Sequence, residues 1–226
     1  MHPLVDKIKG LYVIADTATI EEERFFEKAE IAIAAGCHVL QYRDKTNDHT
    51  KRLRQASQLS RLCKEAGSVF IINDDAELAI QVNADGVHCG INDRSVSEIR
   101  RSYPELLIGA SCYDSLQRAN EMIAAGADYV AFGRFFASTT KPGATPANID
   151  ILRQAKQQLK HPVVAIGGIG AENAGILISS GADAVAVIGG VFNTRDVYDS
   201  SKKISELFTQ REHLALSQDD AGKLGR

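Results

Sequence analysis

Several features are missing from these 226 residues, and each absence removes a class of function. There is no excess of positive charge: 26 Lys and Arg stand against 29 Asp and Glu, a net charge of −3. Nucleic acid and anionic membrane surfaces need a basic face, so neither is expected as a partner. A few local cations can still hold a phosphate. No apolar run approaches the roughly 18 residues of a membrane span. Met1-His2-Pro3-Leu4-Val5-Asp6-Lys7 has no apolar leader core and no small-residue cleavage site. A cytoplasmic location is the expectation. Cys37, Cys63, Cys89 and Cys112 never form Cys-x-x-Cys, so reduced, half-buried structural thiols are expected, not a disulfide frame or zinc site. No Ser-His-Asp or Cys-His set occurs; His38 is expected to be packed within a strand, and His88 stays ambiguous.

What is present is a regular alternation. Short β-branched runs at 11–15, 37–42, 69–72, 86–88, 106–110, 129–132, 163–166 and 184–188 read as strands. Amphipathic stretches at 21–35, 49–66, 76–82, 95–103, 115–125, 149–159, 172–180 and 197–208 read as helices, several stopped by a glycine such as Gly36 or Gly67. Strands apolar on both faces that alternate with helices form a parallel sheet covered by helices. Eight such units in one chain of this length predict a closed (β/α)8 TIM barrel. A doubly wound sheet is disfavoured, because Asp16-Thr17-Ala18 stands where a Gly-x-Gly-x-x-Gly would follow the first strand. The barrel is assigned to residues 1–209. Residues 210–226 are polar with little periodicity, and a frayed tail is expected.

Active sites of this fold lie at the C-terminal ends of the strands, so the residues just after each strand carry the search. Gln41, Arg43 and Lys45 alternate onto one side of strand two. Two cations and an amide there suit a diphosphate, although Arg43 could instead pair with Asp44. Asp74 and Asp93 follow strands three and four. A helix N-cap is the ordinary reading of either; the pair beside the cations favours Mg²⁺. Ser111 could cap a helix or donate to a phosphate. Residues 133–143 form the longest strand-to-helix loop, rich in hydroxyls and carrying Lys141, and suit a phosphate clamp. Gly167-Gly168-Ile169-Gly170 and Gly189-Gly190 follow strands seven and eight, the recurrent phosphate site of the fold. Two anion sites result: a cationic one with Mg²⁺, and a neutral one built from backbone.

These positions in this order resemble the thiamine phosphate synthase family over about residues 10–208. The matching pieces are Gly10–Asp16, Gln41-Tyr42-Arg43-Asp44-Lys45, Ile72-Asn73-Asp74, Ala84–His88, Gly90 through Asp93, Ser138-Thr139-Thr140-Lys141 and Ala165–Ile169. The resemblance implies coupling of hydroxymethylpyrimidine diphosphate with a thiazole phosphate, giving thiamine phosphate and pyrophosphate. It implies that Gln41, Arg43, Lys45 and Asn73 hold the pyrimidine diphosphate, and Asp74 and Asp93 the Mg²⁺. Ser111, Ser138, Thr140 and Lys141 would contact substrate or departing pyrophosphate, with Arg43, Lys45, Lys141 and Ser111 carrying the catalysis. Gly168 and the Ile188-Gly189 turn would cup the thiazole phosphate. Some positions depart from the family pattern: Ile91-Asn92 where Gln-Glu is common, Ser138 for a frequent Thr, and Gly189 for a frequent Ser. The rival readings are a thiazole tautomerase of similar fold, which would not need the carboxylate pair, and a non-catalytic phosphate sensor. Oligomeric state stays open, a homo-oligomer included.

Overall fold

The strands close into a parallel barrel in the order β1-β2-β3-β4-β5-β6-β7-β8, as seen in a computed structural model. It describes residues 2–137 and 147–223, with side chains through Arg211. The strands are β1 Gly10–Asp16, β2 Cys37–Arg43, β3 Val69–Asn73, β4 Gly86–Cys89, β5 Leu107–Tyr113, β6 Tyr129–Phe132, β7 Val163–Ile166 and β8 Ala184–Val187. The helices are α1 Phe25–Ala34, α2 His49–Ala66, α3 Ala76–Gln81, α4 Val96–Ser102, α5 Leu116–Ala124, α6 Asp150–Gln158, α7 Ala174–Ser179, α8 Gly189–Phe192 and α9 Val197–Lys223.

Strand side chains alternate between two cores. Tyr12, Ile14, Val39, Ile71, Tyr129 and Val164 fill the barrel interior. Leu11, Val13, Leu40, Phe70, Ile108 and Val130 face the helices. The strands therefore read as continuous apolar runs because both faces are buried. Gly109 has a packing role: a Cβ there would lie 2.0 Å from Cζ of Tyr129, so its absence lets that ring cross the interior.

Three local expectations differ. The predicted helix 21–35 begins as a tight 3-10 turn, Glu22–Arg24, before α1. His38 is exposed, its Nδ1 3.1 Å from the carbonyl of Gly36, not packed. The tail assigned to 210–226 is helical to Lys223, as the backbone of α9 continues past Phe208. Its Gln, Arg, Glu, Leu, Ala and Lys are good helix formers even where an apolar stripe is lacking. Arg211, placed in that tail, donates to the carbonyls of Ala182 (2.8 Å) and Ile178 (3.1 Å), tying α9 to the end of α7.

Candidate active site

A cavity of about 510 Å³ opens at the C-terminal mouth of the barrel. Gln41, Arg43, Asn73, Ser111, Gly168, Ile188 and Gly189, all predicted from sequence, line it. Lys45 and Asp74 adjoin it: Asn73 donates to Asp74 Oδ2 (2.8 Å), and Lys45 forms an ion pair with the same oxygen. Asp93 belongs to the loop after β4, where its Oδ2 accepts from the N–H of Gly90 at 2.6 Å. Both Asp93 and Asp74 bear on the Cys89 thiol, which burial and then these two charges push up to about 12. Ser138, Thr140 and Lys141 lie outside the described residues.

Helix capping falls to other residues. The N-cap of α3 is Asp75, accepting from Leu78 N–H at 2.9 Å. The N-cap of α4 is Ser95, in a capping box with Glu98. Neither Asp74 nor Asp93 caps a helix. The cap of α5 is Ser115, which leaves Ser111 on β5 facing the cavity. Arg43 does not pair with Asp44. It reaches Asp16, which is 1% exposed, at 2.5 Å. Asp44 is occupied by the N–H of Thr46 at 2.6 Å and the hydroxyl of Tyr42 at 3.3 Å.

Backbone builds the other side. Gly167 and Gly168 have φ of +106° and +66°, left-handed values that L side chains rarely adopt. A Cβ on Gly168 would meet the carbonyls of Ala137 and Phe136 at 2.4 and 2.7 Å. A Cβ on Gly190 would lie 2.1 Å from the carbonyl of Ile169, so the loops after β7 and β8 touch through glycine. In α8, Val191 and Phe192 donate to the carbonyl of Ile188 at 3.1 and 3.0 Å, and the N–H groups that open a helix are the ones with no partner inside it. That short helix replaces what reads in sequence as a plain glycine turn. Lys28 of α1, buried, donates to the carbonyl of Phe192 at the other end of α8 (3.2 Å).

Beneath the mouth lies a polar row absent from the sequence reading. Gln41 Nε2 donates to the Tyr12 hydroxyl (2.8 Å), which is 3.0 Å from the Tyr129 hydroxyl. That hydroxyl is 3.2 Å from His88 Nδ1, and His88 Nε2 is 2.9 Å from Ser111 Oγ. Burial pushes His88 down to about 4, against a smaller opposing effect of Asp93. It pushes both tyrosines up. The imidazole is therefore neutral near pH 7. Arg118 fixes the backbone at Ser111, donating to its carbonyl at 2.9 Å. Inward alternation along β1 and β6 was the signal for Tyr12 and Tyr129. Asp16, the last residue of β1, lies at a strand end like the other mouth residues and is the partner of Arg43.

The chain is similar to known proteins. A sequence profile described as thiamine monophosphate synthase matches residues 11–191. A thiamine-phosphate synthase of Chromobacterium violaceum is 45% identical over 91% of this chain and 99% of its own length. One from Alcanivorax borkumensis is 47% identical over 84% and 88%. The solved structure of a thiamine phosphate pyrophosphorylase from Pyrococcus furiosus superposes with a TM-score of 0.84 at 32% identity, covering 92% of this chain and 98% of that one.

Proposed function

The chain belongs to the thiamine monophosphate synthase family, and from that premise we propose that it joins hydroxymethylpyrimidine diphosphate to thiazole phosphate, releasing thiamine phosphate and pyrophosphate. It is a transferase. The observation that carries the reading is the pair of carboxylates beside the cationic mouth, neither of which serves as a helix cap. A tautomerase, which moves protons within one thiazole, has no use for that pair.

The residues fit the chemistry. Gln41, Arg43, Lys45 and Asn73 hold the pyrimidine diphosphate, with Asp16 orienting the Arg43 guanidinium. Among the described residues, Asp74 and Asp93 take their hydrogen bonds on Oδ2 and keep Oδ1 free. The cation on Asp74 in this structure is the Lys45 ammonium. No three His, Cys, Asp or Glu cluster among the described residues; Asp74 and Asp93 are two carboxylates. Such a donor set suits Mg²⁺, which takes one or two carboxylates and completes its shell with water and phosphate oxygens. Asp74 and Asp93 would hold it, and when bound it neutralises charge on the departing pyrophosphate. Ser111, with Ser138, Thr140 and Lys141 by matching position, contacts the substrate or that leaving group. Gly168, Ile188 and Gly189 hold the thiazole phosphate through backbone N–H groups. The nucleophile is a ring nitrogen lone pair and needs no general base.

The test is pyrophosphate release from the two substrates against Mg²⁺ concentration, with a chelator control. Release should vanish in chelator. Asp74→Asn and Asp93→Asn should each raise the metal concentration for half-maximal rate roughly tenfold, the equivalent of about 1.4 kcal/mol. Full activity in chelator, or superimposable metal curves for all three proteins, would remove the metal assignment.

A further inference from the structure

Five side chains from five strands form one row across the barrel: Gln41 (β2), Tyr12 (β1), Tyr129 (β6), His88 (β4) and Ser111 (β5). Gln41, Tyr12 and Tyr129 are buried. Both ends of the row, Gln41 and Ser111, line the cavity.

Each phenol has a single proton to give and is buried, so the row runs in one direction when every one of those protons has an acceptor. Gln41 presents Nε2 to Tyr12, so the Tyr12 oxygen accepts; the buried Tyr12 proton then needs an acceptor, and among the described residues its partner is the Tyr129 hydroxyl at 3.0 Å, a contact that either oxygen could donate. Tyr129, having accepted, has Nδ1 of His88, 3.2 Å away, as the acceptor for its own proton, which sets the tautomer of the ring. The imidazole is left with its proton on Nε2, which it donates to Ser111 Oγ. Two consequences reach the cavity. The hydroxyl proton of Ser111 is free to donate there, and the amide oxygen of Gln41 is free to accept. A row running the other way would reverse both.

We propose that Tyr12, Tyr129 and His88 are positioning residues that hold Ser111 as a hydrogen-bond donor and Gln41 as an acceptor toward the ligand. The pocket is then matched to a ligand offering an N–H at the Gln41 end and an acceptor at the Ser111 end. On the substrate reading above, on which this clause rests, the exocyclic amino group supplies the N–H, and a ring nitrogen or diphosphate oxygen the acceptor. A 4-oxo pyrimidine diphosphate presents a carbonyl where the amino group was and is disfavoured.

The two phenols separate the two ends. Removing the Tyr129 hydroxyl strips Nδ1 of its donor, lets the proton move to Nδ1, and turns the Ser111 hydroxyl toward Nε2. Removing the Tyr12 hydroxyl leaves Tyr129 donating to His88 but frees the Gln41 amide to turn over.

The experiment is ¹⁵N NMR of His88 with parallel kinetics in native protein, Tyr129→Phe and Tyr12→Phe. The native protein should carry its proton on Nε2 with Nδ1 bare, as should Tyr12→Phe, while Tyr129→Phe shifts toward the other tautomer. Tyr129→Phe should lower kcat roughly tenfold, the worth of one donor. Tyr12→Phe should mainly erode the preference for the amino over the oxo pyrimidine, by a similar factor. A purely packing role for these rings would change thermal stability and leave tautomer and preference alone. A proton on Nδ1 in the native protein overturns the proposal, and that measurement needs neither variant nor substrate. A native protein that does not turn over the aminopyrimidine diphosphate overturns the substrate clause, while the tautomer still decides the direction of the row.

Discussion

Gly189 and Gly190 are adjacent in the chain but opposite in tolerance. A Cβ on Gly189 would come 3.1 Å from Nδ2 of Asn193, a side chain that can give way. A Cβ on Gly190 would run into the fixed carbonyl of Ile169 at 2.1 Å. Gly189→Ser should therefore fold normally and add a hydroxyl donor at the phosphate cup. KM for the thiazole phosphate should fall roughly tenfold, since a hydrogen bond to a charged group is worth about 1.5–3 kcal/mol. Gly190→Ala should lose thermal stability instead. Steady-state kinetics with melting curves on both variants checks the contrast, and equal behaviour would mean that the cup is placed wrongly. His88 gives a second expectation at this scale. Its folded pKa, about 4, lies below the ordinary 6.5 because burial disfavours the charged ring. The unfolded chain then binds the proton more readily, so stability is intact above about pH 6.5 and declines as pH falls toward 4. The gap is on the order of 3 kcal/mol. His161, also held down by burial, acts in the same direction. Denaturant midpoints measured from pH 7.5 to 4.5 should fall, and should fall less steeply in His88→Gln.

Elements differ in how openly the sequence declares them. α2 occupies 49–66 as predicted, because Asp48 caps its start through the N–H of Lys51 and Gly67 closes it at φ +73°. β6 and β7 also match, each a β-branched or aromatic run between turns. α8 escaped notice: four residues beginning Gly-Gly carry no helical periodicity. Its position is imposed from outside, by Ile169 packed against Gly190 and by Lys28 on the carbonyl of Phe192. Lys28→Met should keep the apolar stem but release that carbonyl. A stability loss of about 1–3 kcal/mol is expected, with a raised KM for the thiazole phosphate and an unchanged KM for the pyrimidine diphosphate. Equal shifts in both constants would show that α8 does not serve the phosphate cup alone.

Across the whole molecule, barrel closure buries all four cysteines, each unpaired. Burial pushes the thiols of Cys37, Cys89 and Cys112 up to about 12 and that of Cys63 up as well. Because the thiolate is the reactive form, a disulfide reagent at pH 8 should modify the native protein about a thousandfold more slowly than a free thiol. Denaturant should release four equivalents at once. A fast native equivalent would mean that one cysteine opens to solvent without global unfolding. No described helix is long and apolar enough to cross a membrane.

The sequence alone determined the eight-unit alternation, and with it the barrel and the mouth where chemistry gathers. Continuous β-branched apolar runs and glycine stops are local signals, and the C-terminal strand ends follow from them. It also supplied the residues of the cavity that follow strands, from Gln41 to Gly189. Only the tertiary structure decided what those residues are free to do. Asp74 and Asp93 could each have been a cap until Asp75 and Ser95 were seen in that role. Arg43 could have paired with its neighbour Asp44, yet it binds Asp16, 27 positions away, because closure sets β1 beside β2. The row from Gln41 to Ser111 joins five strands, with members from Tyr12 to Tyr129. Its members are ordinary strand residues until the barrel's interior brings them within hydrogen-bonding distance. Partners far apart in the chain meet only through closure, so no local pattern announces them.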